Sequence, residues 1–235
     1  MEVVVDPNSP RIELITPWPA WDQSDIIDAP IVMKVQGKCT TDPISPAGPW
    51  LSHRGHLTKF SENFLMGGIN AYTGEAGKGL DVLSGERDQA VSHIARHYQD
   101  EGLKWVVVGD SNYGEGSSRE HAALSPRLLG GGAVIARSFA RIHETNLKKQ
   151  GLLALTFSDS GDYDKIREDD RISLTGLTEL APGKPVPCTV NHSDGTSETL
   201  SLNHTLGKPQ IEWFRFCLLY TSPSPRAATL ARMPS

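Results

Sequence analysis

The chain has 235 residues, 38% of them hydrophobic and 22% charged, with 22 glycines, 16 prolines and a formal net charge of −5 at pH 7. This is ordinary globular composition, enough for one large or two small domains that bury a core without disulfides. Cys39, Cys188 and Cys217 lie too far apart for a zinc knuckle, a CxxC pair or a cluster-binding run, so metal binding by this chain alone is disfavoured. Basic and acidic residues are mixed along the sequence, which argues against a nucleic-acid partner. No apolar run approaches the roughly 20 residues of a membrane span. Met1-Glu2 runs straight into Val3-Val4-Val5 without a basic region or cleavage site, so the chain itself carries no readable address.

In chain order, Arg11–Thr16 and Ile31–Val35 read as strands separated by the Pro- and Trp-bearing stretch Pro17–Asp22. From Cys39 to Leu57 the text is loop chemistry, with Pro43, Pro46 and Pro49 unsuited to a helix interior or central strand. Gly67–Gly85 is glycine-rich and weakly patterned, a surface insertion or flexible connection, and Arg87–Gln99 predicts a helix ending near Gly102. Trp105-Val106-Val107-Val108 is a continuous β-branched run expected of a strand buried on both faces, followed by a turn over Gly109–Gly116. Ser117-Ser118-Arg119-Glu120 fits a capping box, with Ser117 as N-cap of the next helix. Gly130-Gly131-Gly132 stops that helix. Ala133–Ala136, Ala140–Gln150 and Leu152–Phe157 then read strand, helix, strand, which implies a parallel sheet with crossovers. Arg171–Leu174, Val186–Asn191 and Thr199–Asn203 predict further strands, the last two flanking the hairpin signal Ser193-Asp194-Gly195-Thr196. The pattern is α/β and mixed.

The segment richest in chemistry is Gly114-Glu115-Gly116-Ser117-Ser118-Arg119, delivered by a buried strand to the start of a helix. Helix starts present free N–H groups and a partial positive charge. Glycines admit a ligand close to the backbone, and Arg119 can fork onto a carboxylate. The segment reads equally as an N-cap with an exposed arginine. An arginine in a first helical turn opposes the macrodipole, however, and calls for an anion nearby. GxGxxG breaks at Arg119, the P-loop lacks its Gly-Lys-Ser/Thr, and GxSxG lacks its last glycine. Arg54, in Leu51-Ser52-His53-Arg54-Gly55-His56-Leu57, reads by itself as a surface arginine. His93 and His97 share a helix face, but Ile94 stands where a zincin has glutamate, so they read as a polar surface pair.

Longer runs match a known family. Cys39-Thr40-Thr41-Asp42, Arg54-Gly55-His56-Leu57, Asn112–His121 and Ser138–Gly151, together with Asn203-His204-Thr205 and Ile211–Arg215, closely resemble the carboxy-terminal swivel domain of the mitochondrial-type aconitases. The resemblance runs from about Val3 to Arg215. It implies an α/β fold, a swivelling three-layer β/β/α domain with a mainly parallel sheet plus an added antiparallel β hairpin. It also implies a hydro-lyase of the tricarboxylic acid cycle, interconverting citrate and isocitrate through cis-aconitate in the mitochondrial matrix.

By this resemblance Ser117 is the catalytic base and Asp42 an active-site carboxylate. Ser118, Arg119 and Arg54 hold substrate carboxylate and hydroxyl groups. The family's [4Fe–4S] cluster is held by three cysteines in upstream domains, none matched by Cys39, Cys188 or Cys217. Residues 1–216 would then be one domain of a larger enzyme, inactive alone and partnered by the cluster-bearing domains. Two departures stand out. Pro43 replaces the histidine that usually follows the motif's aspartate, and residues 217–235, with Thr221-Ser222-Pro223-Ser224-Pro225-Arg226, read as a non-native, disordered tail. Two alternatives are a small subunit of an isopropylmalate dehydratase, a family that usually has cysteine where Glu115 stands, and a non-catalytic carboxylate- or RNA-binding module, which the net charge disfavours.

Overall fold

The computed structural model of the chain describes residues 5–216, so the expected tail and Cys217 lie outside the described residues. In chain order the elements are β1 (Ile26–Lys34), α1 (Thr41–Ile44), α2 (Leu57–Phe60), β2 (Lys78–Gly79), β3 (Gln89–Ala90), α3 (Val91–Asp100), β4 (Trp105–Gly109), α4 (His121–Leu128), β5 (Gly131–Ala136) and α5 (Arg141–Lys149). They continue with β6 (Leu153–Phe157), α6 (Asp162–Lys165), β7 (Arg171–Leu174), β8 (Val186–Asn191), β9 (Ser197–Asn203) and α7 (Lys208–Phe216).

The strands β1, β4, β5 and β6 pair in parallel, joined by helical crossovers, as the alternating pattern requires. The antiparallel strands β9, β8 and β7 complete the sheet and return it to β1, giving a closed barrel in the order β1-β4-β5-β6-β9-β8-β7. Strand periodicity explains both compositions. Val106, Val108, Ala133, Ile135, Leu153 and Leu155 face the barrel interior, where Ile172, Cys188, Val190 and Leu202 meet them. Their neighbours Trp105, Val107, Val134 and Ala154 face outward, where Ile94, Ala95 and Tyr98 of α3, Ala122 and Ala123 of α4 and Leu147 of α5 cover them. The central parallel strands β4 and β5 are therefore apolar throughout, whereas β8 and β9 alternate, with one face exposed. The result is three layers: helices, parallel strands, antiparallel strands.

Several expectations change. Arg11–Thr16 forms no strand; Ile12 makes a single parallel bridge to Gly55, because a closed barrel offers no free edge to join. Gly67–Gly85 is built of hydrogen-bonded turns, with Gln36 N donating to Ile69 O and Ala71 N to Lys34 O, and contains β2. The third helix starts at Val91 rather than Arg87, since Gln89-Ala90 pairs with Lys78-Gly79. The proline-rich loop contains the single turn α1 and a 3₁₀ stretch, Gly48–His53. Pro43 and Pro49 are tolerated there because each sits in a first turn, where a missing N–H costs nothing.

Truncation inside the barrel tests this packing. Leu155 is fully buried among side chains from both halves of the sheet. Leu155→Ala is expected to destabilise the fold by about 2–5 kcal/mol, read from the urea midpoint; a loss below 1 kcal/mol would contradict a filled barrel.

Candidate active site

The candidate residues gather where the parallel strands end. The turn after β4 is fastened to the turn after β5: Tyr113 N donates to Ser138 O at 2.9 Å, Ala140 N to Tyr113 O at 3.0 Å, and Asn112 N to Ser138 Oγ at 2.8 Å. Its other side is fastened to the segment entering α1. Gly114 N donates to Cys39 O, and Thr41 N donates to Glu115 O, each at 2.8 Å. The chain therefore runs through a narrow channel of its own making.

Two glycines make that passage possible. Gly114 has φ +81°, and a Cβ there would lie 2.2 Å from ring carbons of His143. Gly116 has φ +115°, and a Cβ there would lie 3.2 Å from Thr41 Oγ1. Ser117 follows directly. Its Oγ is 3.3 Å from Thr41 Oγ1, and both Ser117 and Ser118 are exposed. Their amides make no hydrogen bond among the described residues.

The expected capping box is absent. The helix α4 starts at His121, its N-cap is Glu120, and no side chain caps it. The cause is tertiary: Arg119 is drawn sideways onto α1. Its Nη1 donates to Thr41 O at 3.1 Å and to Ser45 O at 2.5 Å, and its Nη2 is 2.7 Å from Asp42 Oδ1. The anion that the arginine called for is thus supplied in part by the chain, as the carbonyl end of α1 and one carboxylate. The two carbonyl bonds are charge-assisted and shielded. Asp42 is 73% exposed, so its ion pair with Arg119 contributes little to stability. Nε and the second Nη2 hydrogen of Arg119 remain unengaged by described residues.

Arg54 follows the 3₁₀ stretch and is exposed. His121 Nε2 lies 2.8 Å from the Arg54 carbonyl and donates to it, which ties that loop to the start of α4 two residues beyond Arg119. Ser117, Ser118, Arg119 and Asp42 therefore share one open stretch of surface, and the Arg54 loop is tied beside it through His121. His93 and His97, on α3, take no part in it; His97 Nδ1 lies 2.6 Å from Asp81 in the turn after β2.

Three residues at this region went unrecognised in the sequence. Thr41 touches Ser117 through its hydroxyl and Arg119 through its carbonyl; the Thr-Thr-Asp run was its signal. Ser45 holds Arg119 by a backbone atom, which no sequence pattern encodes. His143 is 1% exposed, and neither ring nitrogen has a hydrogen-bond partner among the described residues. Four residues before the buried Leu147, it reads as an ordinary core position. Burial pushes its pKa down to about 4.

A cluster held by three thiolates does not fit the described residues. Cys39 packs on the helical side of the sheet and Cys188 inside the barrel. Burial pushes both thiols up to about 12, keeping them protonated at neutral pH. Among the described residues no group of three or more His, Cys, Asp or Glu is arranged to hold a metal.

The family model of the aconitase C-terminal domain matches residues 29–160. The chain is 57% identical over 213 residues to the mitochondrial aconitate hydratase of Gracilaria gracilis, covering 91% of this chain and 27% of that protein. It is 55% identical over 215 residues to the corresponding enzyme of Schizosaccharomyces pombe, again 91% and 27%. For that of Saccharomyces cerevisiae the values are 55% over 216 residues, 92% and 28%. The chain thus spans just over a quarter of the length of these relatives. Among solved structures, the 3-isopropylmalate dehydratase of Methanocaldococcus jannaschii superposes with a TM-score of 0.52 at 21% identity, covering 81% of this chain and 88% of that one, a likeness of fold.

Two measurements test the site's geometry. Gly114→Ala combines a strained φ with a clash on His143, and is expected to cost about 2 kcal/mol or more. For His143, the unfolded chain takes up a proton near pH 6.5 and the folded chain only near 4. Its stabilising contribution is therefore complete above about pH 6.5 and is lost as pH falls to about 4, about 3 kcal/mol in all. The acid loss should be smaller by this amount in His143→Leu. A ring titration by NMR with a midpoint near 6.5 in the native chain would contradict the burial.

Proposed function

Because the chain belongs to the aconitase C-terminal domain family, we propose that it is the substrate-gripping domain of a mitochondrial aconitate hydratase, interconverting citrate and isocitrate through cis-aconitate. The reading rests on the gathering of Ser117, Ser118, Arg119 and Asp42 on one open stretch of surface, with the Arg54 loop tied beside it through His121.

A tricarboxylate carries three negative groups. Two guanidinium groups, Arg54 and the unengaged edge of Arg119, suit such a substrate because each can fork onto a carboxylate. Ser118 offers a hydroxyl beside them. Ser117 Oγ is the proposed base: it takes a proton from the carbon next to a substrate carboxylate during dehydration and returns one during rehydration. A serine hydroxyl does this only if its alkoxide is stabilised. The free amides of Ser117 and Ser118, the Thr41 hydroxyl and the positive charge of Arg119 are the groups available for that. Asp42, paired with Arg119, holds the guanidinium plane while leaving its other edge free.

The [4Fe–4S] cluster of this enzyme class is assigned to polypeptide outside this chain, whose described thiols, Cys39 and Cys188, do not fit it. The site then spans two bodies, and the exposure of Ser117 is the expected state of one half. Closure against the other half would remove water and strengthen every charge interaction in the site. On this reading the isolated chain is inactive. The isopropylmalate dehydratase alternative has a fold likeness only, at 21% identity.

The test is Ser117→Ala in the complete enzyme. Turnover should fall by roughly 10²–10⁴-fold, the usual contribution of a positioned base, while citrate affinity stays within a few-fold. Near-native turnover would remove Ser117 from the mechanism.

A further inference from the structure

Arg54 sits in an exposed loop, yet almost every residue around it is held. The segment Pro10–Glu13, which precedes the barrel, lies along the loop as a strap. Pro10 O is 2.8 Å from His53 Nδ1, and Glu13 N donates to Gly55 O at 3.0 Å beside the Ile12–Gly55 bridge. The approach is so close that a Cβ on Gly55 would lie 2.7 Å from Arg11 O. Glu13 then contributes its side chain twice. Oε1 accepts from Thr58 N at 2.6 Å, and Oε2 is 3.0 Å from His56 Nδ1. Lys59 N lies 3.4 Å from that same ring nitrogen, which cannot accept from Lys59 while donating to Glu13; the shorter contact decides for Glu13. From the opposite side His121 donates to Arg54 O. The residues at 53, 54, 55, 56 and 58 are each tied through backbone or ring atoms, while the Arg54 side chain is exposed.

We propose that Glu13 is a positioning residue for Arg54: its carboxylate, bridging His56 and the first turn of α2, fixes the backbone from which the guanidinium reaches a substrate carboxylate. Two features separate this from a merely structural contact. Glu13 grips the chain three times directly after Arg54, at Gly55, His56 and Thr58, and His56 and Glu13 are each less than a fifth exposed in a region otherwise open to solvent. A bidentate fork demands a fixed base, because a displacement of about 1 Å at a positioning group costs up to about a hundredfold in efficiency. The inference rests on the reading of Arg54 as a substrate-carboxylate ligand.

The experiment compares Glu13→Ala, Glu13→Gln and Arg54→Lys, singly and combined, in the complete enzyme with citrate as substrate. Glu13→Ala should raise KM about tenfold, within the range that misplacement produces, with kcat changed less than about twofold. Glu13→Gln keeps the acceptor for Thr58 N but loses the charge facing His56, and should fall between native and alanine. In an Arg54→Lys background the further effect of Glu13→Ala on KM should vanish, as required of a residue that acts through Arg54. Trypsin cleavage after Arg54 in the folded protein should be faster in Glu13→Ala than in the native enzyme.

If Arg54→Lys raises KM and Glu13→Ala does not, the positioning role is overturned and the reading of Arg54 stands. Full additivity of the two changes would likewise overturn it, leaving Glu13 a purely structural contact. An Arg54→Lys variant with native KM would defeat both the substrate reading and the inference built on it. Should Glu13→Ala fail to fold, as judged by its thermal midpoint, Glu13→Gln carries the same comparisons.

Discussion

The arrangement depends on two positions where the backbone must do without a side chain. Between β4 and α4 the chain passes between the His143 ring and the Thr41 hydroxyl, and only glycine fits at 114, where a Cβ would overlap the ring. Left-handed φ at Gly114 and Gly116 turns the chain back on itself there, an arrangement costly for any other residue. Everything downstream inherits that path: Ser117 emerges beside Thr41, and Arg119 is aimed at α1. The helix that a capping box would have started at Ser117 is delayed until His121. The local signal was real, but a serine and glutamate three residues apart are worth about 1 kcal/mol. Two charge-assisted bonds from a shielded guanidinium exceed that.

What the sequence disclosed follows the range of the forces involved. The strand over Trp105–Val108 was legible because burial on both faces leaves no polar position, and the β8–β9 hairpin because Asp194-Gly195 signals a tight reversal. Closure into a barrel was not, since β1 with β7 and β6 with β9 pair residues far apart in the chain, and no periodicity records the partner. The same limit explains Arg11–Thr16, whose alternation suits a strand that finds no open edge. Of the site, the glycine-rich turn could be read from chemistry alone, as an anion-binding start of a helix. The roles of Ser117, Asp42 and Arg54 came only with the resemblance; by itself Arg54 looked like any surface arginine. Its strap and the buried His143 depend on tertiary approach and left no local mark.

His143 shows how the site trades stability for shape. A buried imidazole with neither nitrogen paired is destabilising by about 1–3 kcal/mol relative to a satisfied one. It is kept neutral by desolvation, so it adds no positive charge behind the turn. The flat ring also lets Gly114 approach more closely than a branched aliphatic side chain would. The underside of the turn is therefore rigid and uncharged, and its charge lies on the outer face, in Arg119 and Arg54.

That division bears on where the metal chemistry of the proposed reaction belongs. Cys39 and Cys188 lie on opposite sides of one sheet wall, and bringing their sulfurs to a common cluster would require opening the barrel. Burial also holds both thiols in the protonated form, which does not ligate iron. In the proposed reaction such a chain would handle protons and carboxylates and leave the departing hydroxyl to another body. On that proposal, the exposed Ser117 and Ser118, the unengaged edge of Arg119 and the strapped Arg54 would be parts of a site that becomes dry, and electrostatically strong, only when a second body covers them.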